Sequence, residues 1–160
     1  MAATDKIRVG GIICHRGLSL LGVMSAPDRP GLVAAIFQGL GQERLNAQFI
    51  VQSIDLNNDS HVQFCVARED CQRVREIIVP IATALGAKKV TERTPVALVA
   101  VFGPDFRERP GIAGTAFSAL AGAGINILAV STSISTISCL IDDAHVEQAL
   151  TALKEVFALP

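Results

Sequence analysis

Apolar and polar positions change period several times along the chain, and each change marks an expected element. Leu18 to Ser25 is a short apolar run of strand character. Leu32, Val33, Ile36, Phe37 and Leu40 then recur at helical spacing and give one buried face, with Pro30 expected at the first helical position. Asn46 to Ile54 reads as a strand, Leu56 to Ser60 as a turn, and His61 to Ala67 as the returning strand of a hairpin. Val74, Ile77, Ile78, Ile81 and Leu85 share a second helical face, with Asp70 expected as its cap and Gly86 as its stop. Ala87 to Thr91 closes this half as a strand.

The second half repeats the order. A strand is expected over Val96 to Phe102, a loop from Gly103 to Arg109, and a helix from Pro110 to about Ala123. Gly124 is expected as a left-handed cap before a strand from Ile125 to Thr132. After a tight connection, Ile137 to Ile141 forms a strand. Asp142 or Asp143 then opens a helix carrying Val146, Leu150, Leu153 and Phe157. The likeness extends to single residues. Arg29-Pro30-Gly31 returns 80 positions later as Arg109-Pro110-Gly111, Phe37 as Phe117, Leu40 as Leu120, Asn46 as Asn126, and Ser53-Ile54 as Ser133-Ile134. An ungapped register of this length means one structural unit used twice.

The first copy reads β-α-β-β-α-β, the ferredoxin-like split motif. The second lacks its last strand, while Ile7 to Cys14 is a spare strand ahead of the first copy. An open sheet edge would leave backbone groups unpaired, so this leading segment is expected to complete the second sheet. The expected fold class is therefore α+β, with two ferredoxin-like units. The first spans residues 16–94, and the second combines residues 1–15 with 95–160.

Half of the 160 residues are hydrophobic and only 18% are charged, more apolar than two small units need, so a homodimer is expected. The net charge of −1 lacks a basic stripe, and the chain has no Trp or Tyr to stack bases, which argues against a nucleic-acid partner. Nothing between Arg109 and Asp142 is charged, but glycines, Pro110, Asn126 and hydroxyl residues interrupt that stretch, so no membrane span is expected. Cys14, Cys65, Cys71 and Cys139 are far apart with no C-x-x-C pair, which suits buried thiols in a reducing cytoplasm. His15, His61 and His145 are isolated from carboxylates and thiols at ligand spacing, so no metal is expected. No phosphate-cradling glycine motif occurs, and Ser131, Thr132 and Ser133 lack a neighbouring base, so neither a cofactor nor a nucleophile is expected.

The polar residues around the first helix suit a different ligand. A free amino acid presents a carboxylate and an ammonium close together. The helix N-terminus offers the N–H groups of Gly31, Leu32 and Val33 to the carboxylate, and Asp28 stands ready to accept from the ammonium. Asn46, with Gln48 or Gln52, could complete such a pocket. A purely structural reading stands beside this one: Asp-x-Pro-Gly is also a good loop-to-helix entry, and Asn46 can satisfy its own turn. In the second copy the preceding carboxylate, Asp105, is four residues from Arg109, and Phe106 is available to fill an empty pocket.

The string Pro27-Asp28-Arg29-Pro30-Gly31-Leu32-Val33-Ala34-Ala35-Ile36-Phe37, with Leu45-Asn46 and Ile50-Val51-Gln52, resembles an ACT domain, in particular the first ACT unit of the aspartate kinase regulatory region. Arg109-Pro110-Gly111-Ile112-Ala113, Gly124-Ile125-Asn126-Ile127 and Val130-Ser131-Thr132-Ser133 resemble the second unit. The resemblance covers nearly the whole chain. It implies a βαββαβ tandem that dimerises, binds lysine or threonine as a feedback effector, and serves a kinase catalytic subunit. It also implies effector contacts from Asp28, Arg29, Pro30, Gly31, Leu32, Val33, Asn46, Gln48, Ile50 and Gln52 in the first unit. In the second unit it implies Arg109, Gly111, Ile112, Ala113, Asn126, Ile127, Ser131 and Ser133. The family commonly has Asn-Val-Asp or Asn-Ile-Asp where this chain has Asn46-Ala47-Gln48, and a Glu with a nearby Lys where this chain has Ile134-Ser135-Thr136. Two rival readings are an assembly-only dimer with vestigial pockets and a small acylphosphatase-like hydrolase. The hydrolase would use Arg29 or Arg109 on phosphate and Asn46 or Asn126 to orient water.

Overall fold

The computed structural model describes residues 5–104 and 106–160. The elements are β1 (Ile7–Arg8), β2 (Gly11–Pro27), α1 (Leu32–Gln42), β3 (Gln48–Ile54), β4 (Asp59–Ala67), α2 (Cys71–Ala84), β5 (Lys89–Phe102), α3 (Ile112–Gly122), β6 (Ala129–Thr132), β7 (Thr136–Asp142), α4 (Val146–Val156) and β8 (Phe157–Ala158). Short 3-10 turns at Arg68–Asp70 and Asp143–His145 lead into α2 and α4. Contacts divide the chain into an inserted unit, Gly17–Pro95, and a split unit made of the residues up to Arg16 with Val96–Pro160. Each unit takes part of β2 and part of β5.

In the inserted unit the strand order is β3-β4-β2-β5, with β4 antiparallel to both β2 and β3. Strand alternation turns Leu21, Val23, Val62, Phe64 and Val66 to one face, where they join a single core with the helices. Leu32, Ile36 and Leu40 of α1 are spaced four apart, form one stripe, and are 1%, 0% and 1% exposed. Phe37 meets Phe64 edge-on, with centroids 5.2 Å apart and planes at 75°. Such a pair contributes about 0.5–1.5 kcal/mol beyond its area.

In the split unit the order is β2-β5-β7-β6, with β7 antiparallel to β5 and β6. Val99, Val101, Ile137, Cys139 and Ile141 pack with Ile112, Ala116 and Leu120 of α3 and Val146, Ala149 and Leu153 of α4. The leading segment completes this unit. Val9 is buried in its core, and β1 runs parallel to β8 with Ile7 opposite Phe157 and Arg8 opposite Ala158. The Val9 N–H donates to the Ala158 carbonyl at 3.1 Å.

Several element boundaries differ from the sequence expectation. Ile7–Cys14 and Leu18–Ser25 were expected as separate strands, as were Ala87–Thr91 and Val96–Phe102, yet β2 and β5 each run unbroken. The polar runs His15-Arg16-Gly17 and Glu92-Arg93-Thr94 look like loops in sequence, but their side chains are merely exposed on continuous strand backbone. Phe157 was expected on the last helix. Instead α4 stops at Val156 and Phe157 begins β8, so the second copy does carry a short final strand. Neither α1 nor α3 starts at proline. Leu32 N–H donates to Arg29 C=O at 3.3 Å, and Gly31 has φ 91° and ψ −8°. This is a type II turn, which places proline second and glycine third and begins the helix one residue later. Gly111 repeats the geometry at φ 90° and ψ −3°. Asp70 makes no capping hydrogen bond with its side chain, whereas Asp142 accepts from the Ala144 N–H at 3.0 Å.

Candidate functional site

The entrance to α1 is built by its turn. Pro30 and Gly31 fix the Arg29–Leu32 turn, and Arg29, Pro30 and Gly31 are all exposed. Nothing lies within 4 Å of where a Gly31 Cβ would stand, so a ligand can approach this backbone closely. The helix cap is a glycine and supplies no side-chain acceptor, so the partial positive charge at this end is not met by its own cap. Leu32 is buried beneath and Val33 half-buried beside it.

A second set of contacts steadies the approach. Asp28 is half-buried, and its N–H donates to the Asn58 carbonyl at 3.0 Å, tying the loop to the β3–β4 turn. In that turn Asp55 Oδ1 accepts the N–H groups of Asn57 at 2.8 Å and Asp59 at 3.1 Å. Asp55 Oδ2 lies 2.9 Å from His61 Nε2, while His61 Nδ1 accepts the Ser25 N–H at 3.1 Å. With Nδ1 accepting, Nε2 carries the proton and donates to Asp55. His61 is therefore not isolated, as its sequence position suggested. It joins the hairpin turn to the bulge before Ala26, where Ser25 has φ 54°. This brace was hidden because Asp55 and His61 meet only when the hairpin closes.

The remaining sequence-predicted residues of the inserted unit do not converge on one point. Asn46 follows the C-terminal end of α1, about 16 Å along an 11-residue helix from Gly31. Gln48 pairs with Cys65 and Ile50 with Phe64 across β3 and β4. Cys65 and Phe64 are neighbours on one strand and point to opposite faces, so Gln48 and Ile50 do too. A bulge at Phe49, φ 56°, causes the switch. Ile50 and Gln52 thus share the helix-bearing face, and Gln52 Nε2 donates to the buried Ser60 Oγ at 2.8 Å. The entrance end of the unit holds Asp28, Arg29, Pro30, Gly31, Leu32, Val33 and Gln52; Asn46 and Gln48 lie at the far end. Within the inserted unit this separation also keeps apart Arg29 and Asn46, the pair that the hydrolase reading would bring together there.

In the split unit, Arg109, Pro110, Gly111, Ile112, Ala113 and Ser133 surround a cavity of about 190 Å³, with Phe106 and Ile137 completing its wall. Arg109 also lines a neighbouring cavity of about 390 Å³ with Asp5, Lys6, Thr115 and Glu155. Asn126 is exposed beyond the C-terminal end of α3, and Ile127 follows it, half-buried. Ser131 pairs with Ser138 on the sheet face opposite the core residues Ile137 and Cys139. Asp105 lies outside the described residues. Among the described residues no cluster of His, Cys, Asp and Glu is arranged to hold a metal, and no helix is long and apolar enough to cross a membrane. All four cysteines are free. Burial pushes the Cys65 thiol up to about 12 and the Cys139 thiol up to about 11.

The ACT domain family model matches residues 99–157. The regulatory subunit of aspartate kinase from Thermus thermophilus, in a ligand-free form, superposes with a TM-score of 0.85 and 27% identity, covering 94% of this chain and 99% of that one. This is an ACT domain protein. It resembles the regulatory subunit, and the C-terminal regulatory region, of aspartate kinase. A structure of aspartokinase alpha and beta subunits contains a chain matched with a TM-score of 0.84 and 28% identity, over 92% of this chain and 97% of that one. An aspartate kinase of Stutzerimonas stutzeri is 30% identical over 151 residues, which cover 94% of this ACT chain and 37% of the kinase. The ACT chain thus spans little more than a third of that curated relative, whereas it matches the Thermus thermophilus regulatory subunit over nearly its whole length.

Proposed function

We propose that this ACT module is a feedback sensor that binds an amino acid of the lysine or threonine type and works as a homodimer. The observation that carries the reading is the open helix entrance, formed twice. At Gly31 and Gly111 the backbone is exposed, held at positive φ, and free of atoms where a side chain would stand. Helix N–H groups there suit the carboxylate, and Asp28 suits the ammonium, a charge-assisted contact of about 1.5–3 kcal/mol. Because Asn46 and Gln48 lie at the far end of the inserted unit, their share in a pocket would come from a second copy of the chain. Ligand binding would then be linked to association, and an effector shifts the packing by its difference in affinity between the two arrangements. The resemblance to a regulatory subunit supports a kinase catalytic subunit as the protein that responds, and the free thiols support a reducing cytoplasm as its compartment.

An assembly-only reading is favoured by one observation: Ile50 (46%), Ile54 (53%), Val130 (41%) and Ile134 (66%) are exposed on or just after the edge strands β3 and β6. Calorimetry and thermal melts with lysine, threonine and the other common amino acids separate the two. A bound effector at a hundred times its Kd adds about 2.7 kcal/mol of stability. Asp28→Ala should remove that shift and leave the unliganded melt unchanged. Should every amino acid leave the melt unmoved, the sensor reading gives way to assembly alone.

A further inference from the structure

The two copies differ where their two helices meet, α1 with α2 and α3 with α4. In the inserted unit the α1–α2 seam is closed. Ile81 fills the space a Cβ at Gly39 would need, Ile77 packs beside it, and Arg73 Nη2 bonds Glu43 Oε2 at 3.1 Å across the seam. Aligning the starts of α2 and α4 places Ala152 at the position of Ile77 and Gln148 at that of Arg73, and the repeat places Ala123 at that of Glu43. The same alignment places Val156 at the position of Ile81, so the bulk of Ile77 and the ion pair that help close one seam are missing from the other. The result is a cleft of about 680 Å³ between α3 and α4.

Its floor is mostly small: Ala119 and Gly122 from α3, Ala123 just beyond its end, and Ala152 from α4, with Val156 the larger aliphatic residue of the lining. Its rim is acidic. Glu147, Thr151 and Glu155 form an i, i+4, i+8 ridge about 12 Å long, and no Lys or Arg is among the lining residues. The Glu147 side chain is 82% exposed even while Arg16 contacts one of its oxygens. Removing floor volume makes room for a bulky side chain, and an acidic ridge favours positive charge around it.

We propose that the α3–α4 cleft docks a helix of another protein that bears a large aliphatic residue flanked by Lys or Arg two turns apart. This surface goes beyond the effector reading and stands whether or not an amino acid binds. The probe is a fluorescent 18-residue helical peptide with leucines on one face and lysines eight residues apart, followed by anisotropy with the full chain. Binding should saturate and weaken with added salt. It should fall at least about tenfold in Ala123→Glu/Gln148→Arg/Ala152→Ile, which copies the closed seam, and similarly in the exposed Glu155→Lys. A peptide with glutamates in place of the lysines should not bind. Circular dichroism establishes folding of the triple variant, and Glu155→Lys keeps the test decisive if that variant unfolds. No binding up to about 1 mM, or equal binding by wild type and Glu155→Lys, overturns the proposal. If wild type self-associates and the triple variant does not, the occupant is a second copy and the proposal of a foreign helix fails.

Discussion

Gly31 and Gly111 hold φ at 91° and 90° because the third position of their turns demands it. Since nothing crowds either Cα, the cost of a side chain there is the backbone conformation alone. Gly31→Ala should therefore lower stability by about 1–2 kcal/mol, read as a shift in the urea midpoint without a change in slope. Asp55 gives a second test. The His61 N–H, then the Asp59 N–H, hold its carboxyl below the ordinary value of 3.8. A lowered carboxyl adds stability that is present above the unfolded value and disappears as pH falls through the folded one. Wild type should thus lose melting temperature below pH 3.8 more steeply than Asp55→Asn, and parallel acid profiles would reject this role. That a loop-to-helix entry lies at Arg29-Pro30-Gly31 was legible in sequence because Pro restricts φ and Gly readily takes the positive φ found at Gly31, although the helix begins at Leu32 rather than at Pro30. The switch at Phe49 was not, since positive φ at a phenylalanine has no marker in sequence and depends on β4 beside it.

Elements defined by spacing were the most legible. Leu32, Ile36 and Leu40 mark α1, and their full burial follows from a stripe four residues apart. Length was less legible where partners decide it. β2 and β5 continue through polar segments because strand pairing satisfies the backbone whatever the side chains face. β8 is two residues long and has no pattern of its own; its register with β1 makes it a strand. Phe157, 1% exposed, anchors that pairing in the split unit's core. Phe157→Ala should cost about 3–5 kcal/mol, measured by denaturant unfolding. A loss below about 1 kcal/mol would mean the β1–β8 pair contributes little.

At the scale of the molecule, the two units carry their own buried reporters. Cys65 lies in the inserted unit and Cys139 in the split unit, and burial raises both thiols far above the ordinary 9.0. A raised thiol pKa favours the folded state below the unfolded value, and that advantage fades as pH climbs past 9.0. At pH 8 the Cys65 thiolate should be about a thousandfold scarcer than in the unfolded chain. Single-cysteine variants should therefore label only on opening, while half-buried Cys14 reacts earlier; fast native labelling of Cys65 would show that its unit breathes. The β1–β8 pairing also sets a birth order. Ile7 and Phe157 stand about 150 residues apart, whereas residues 17–95 are continuous. At about 5–20 residues per second, the ribosome delivers the inserted unit whole several seconds before the other can close. For that interval Val9 and its neighbours wait without their last strand, so a segment made ahead of the inserted unit finds its place only after it.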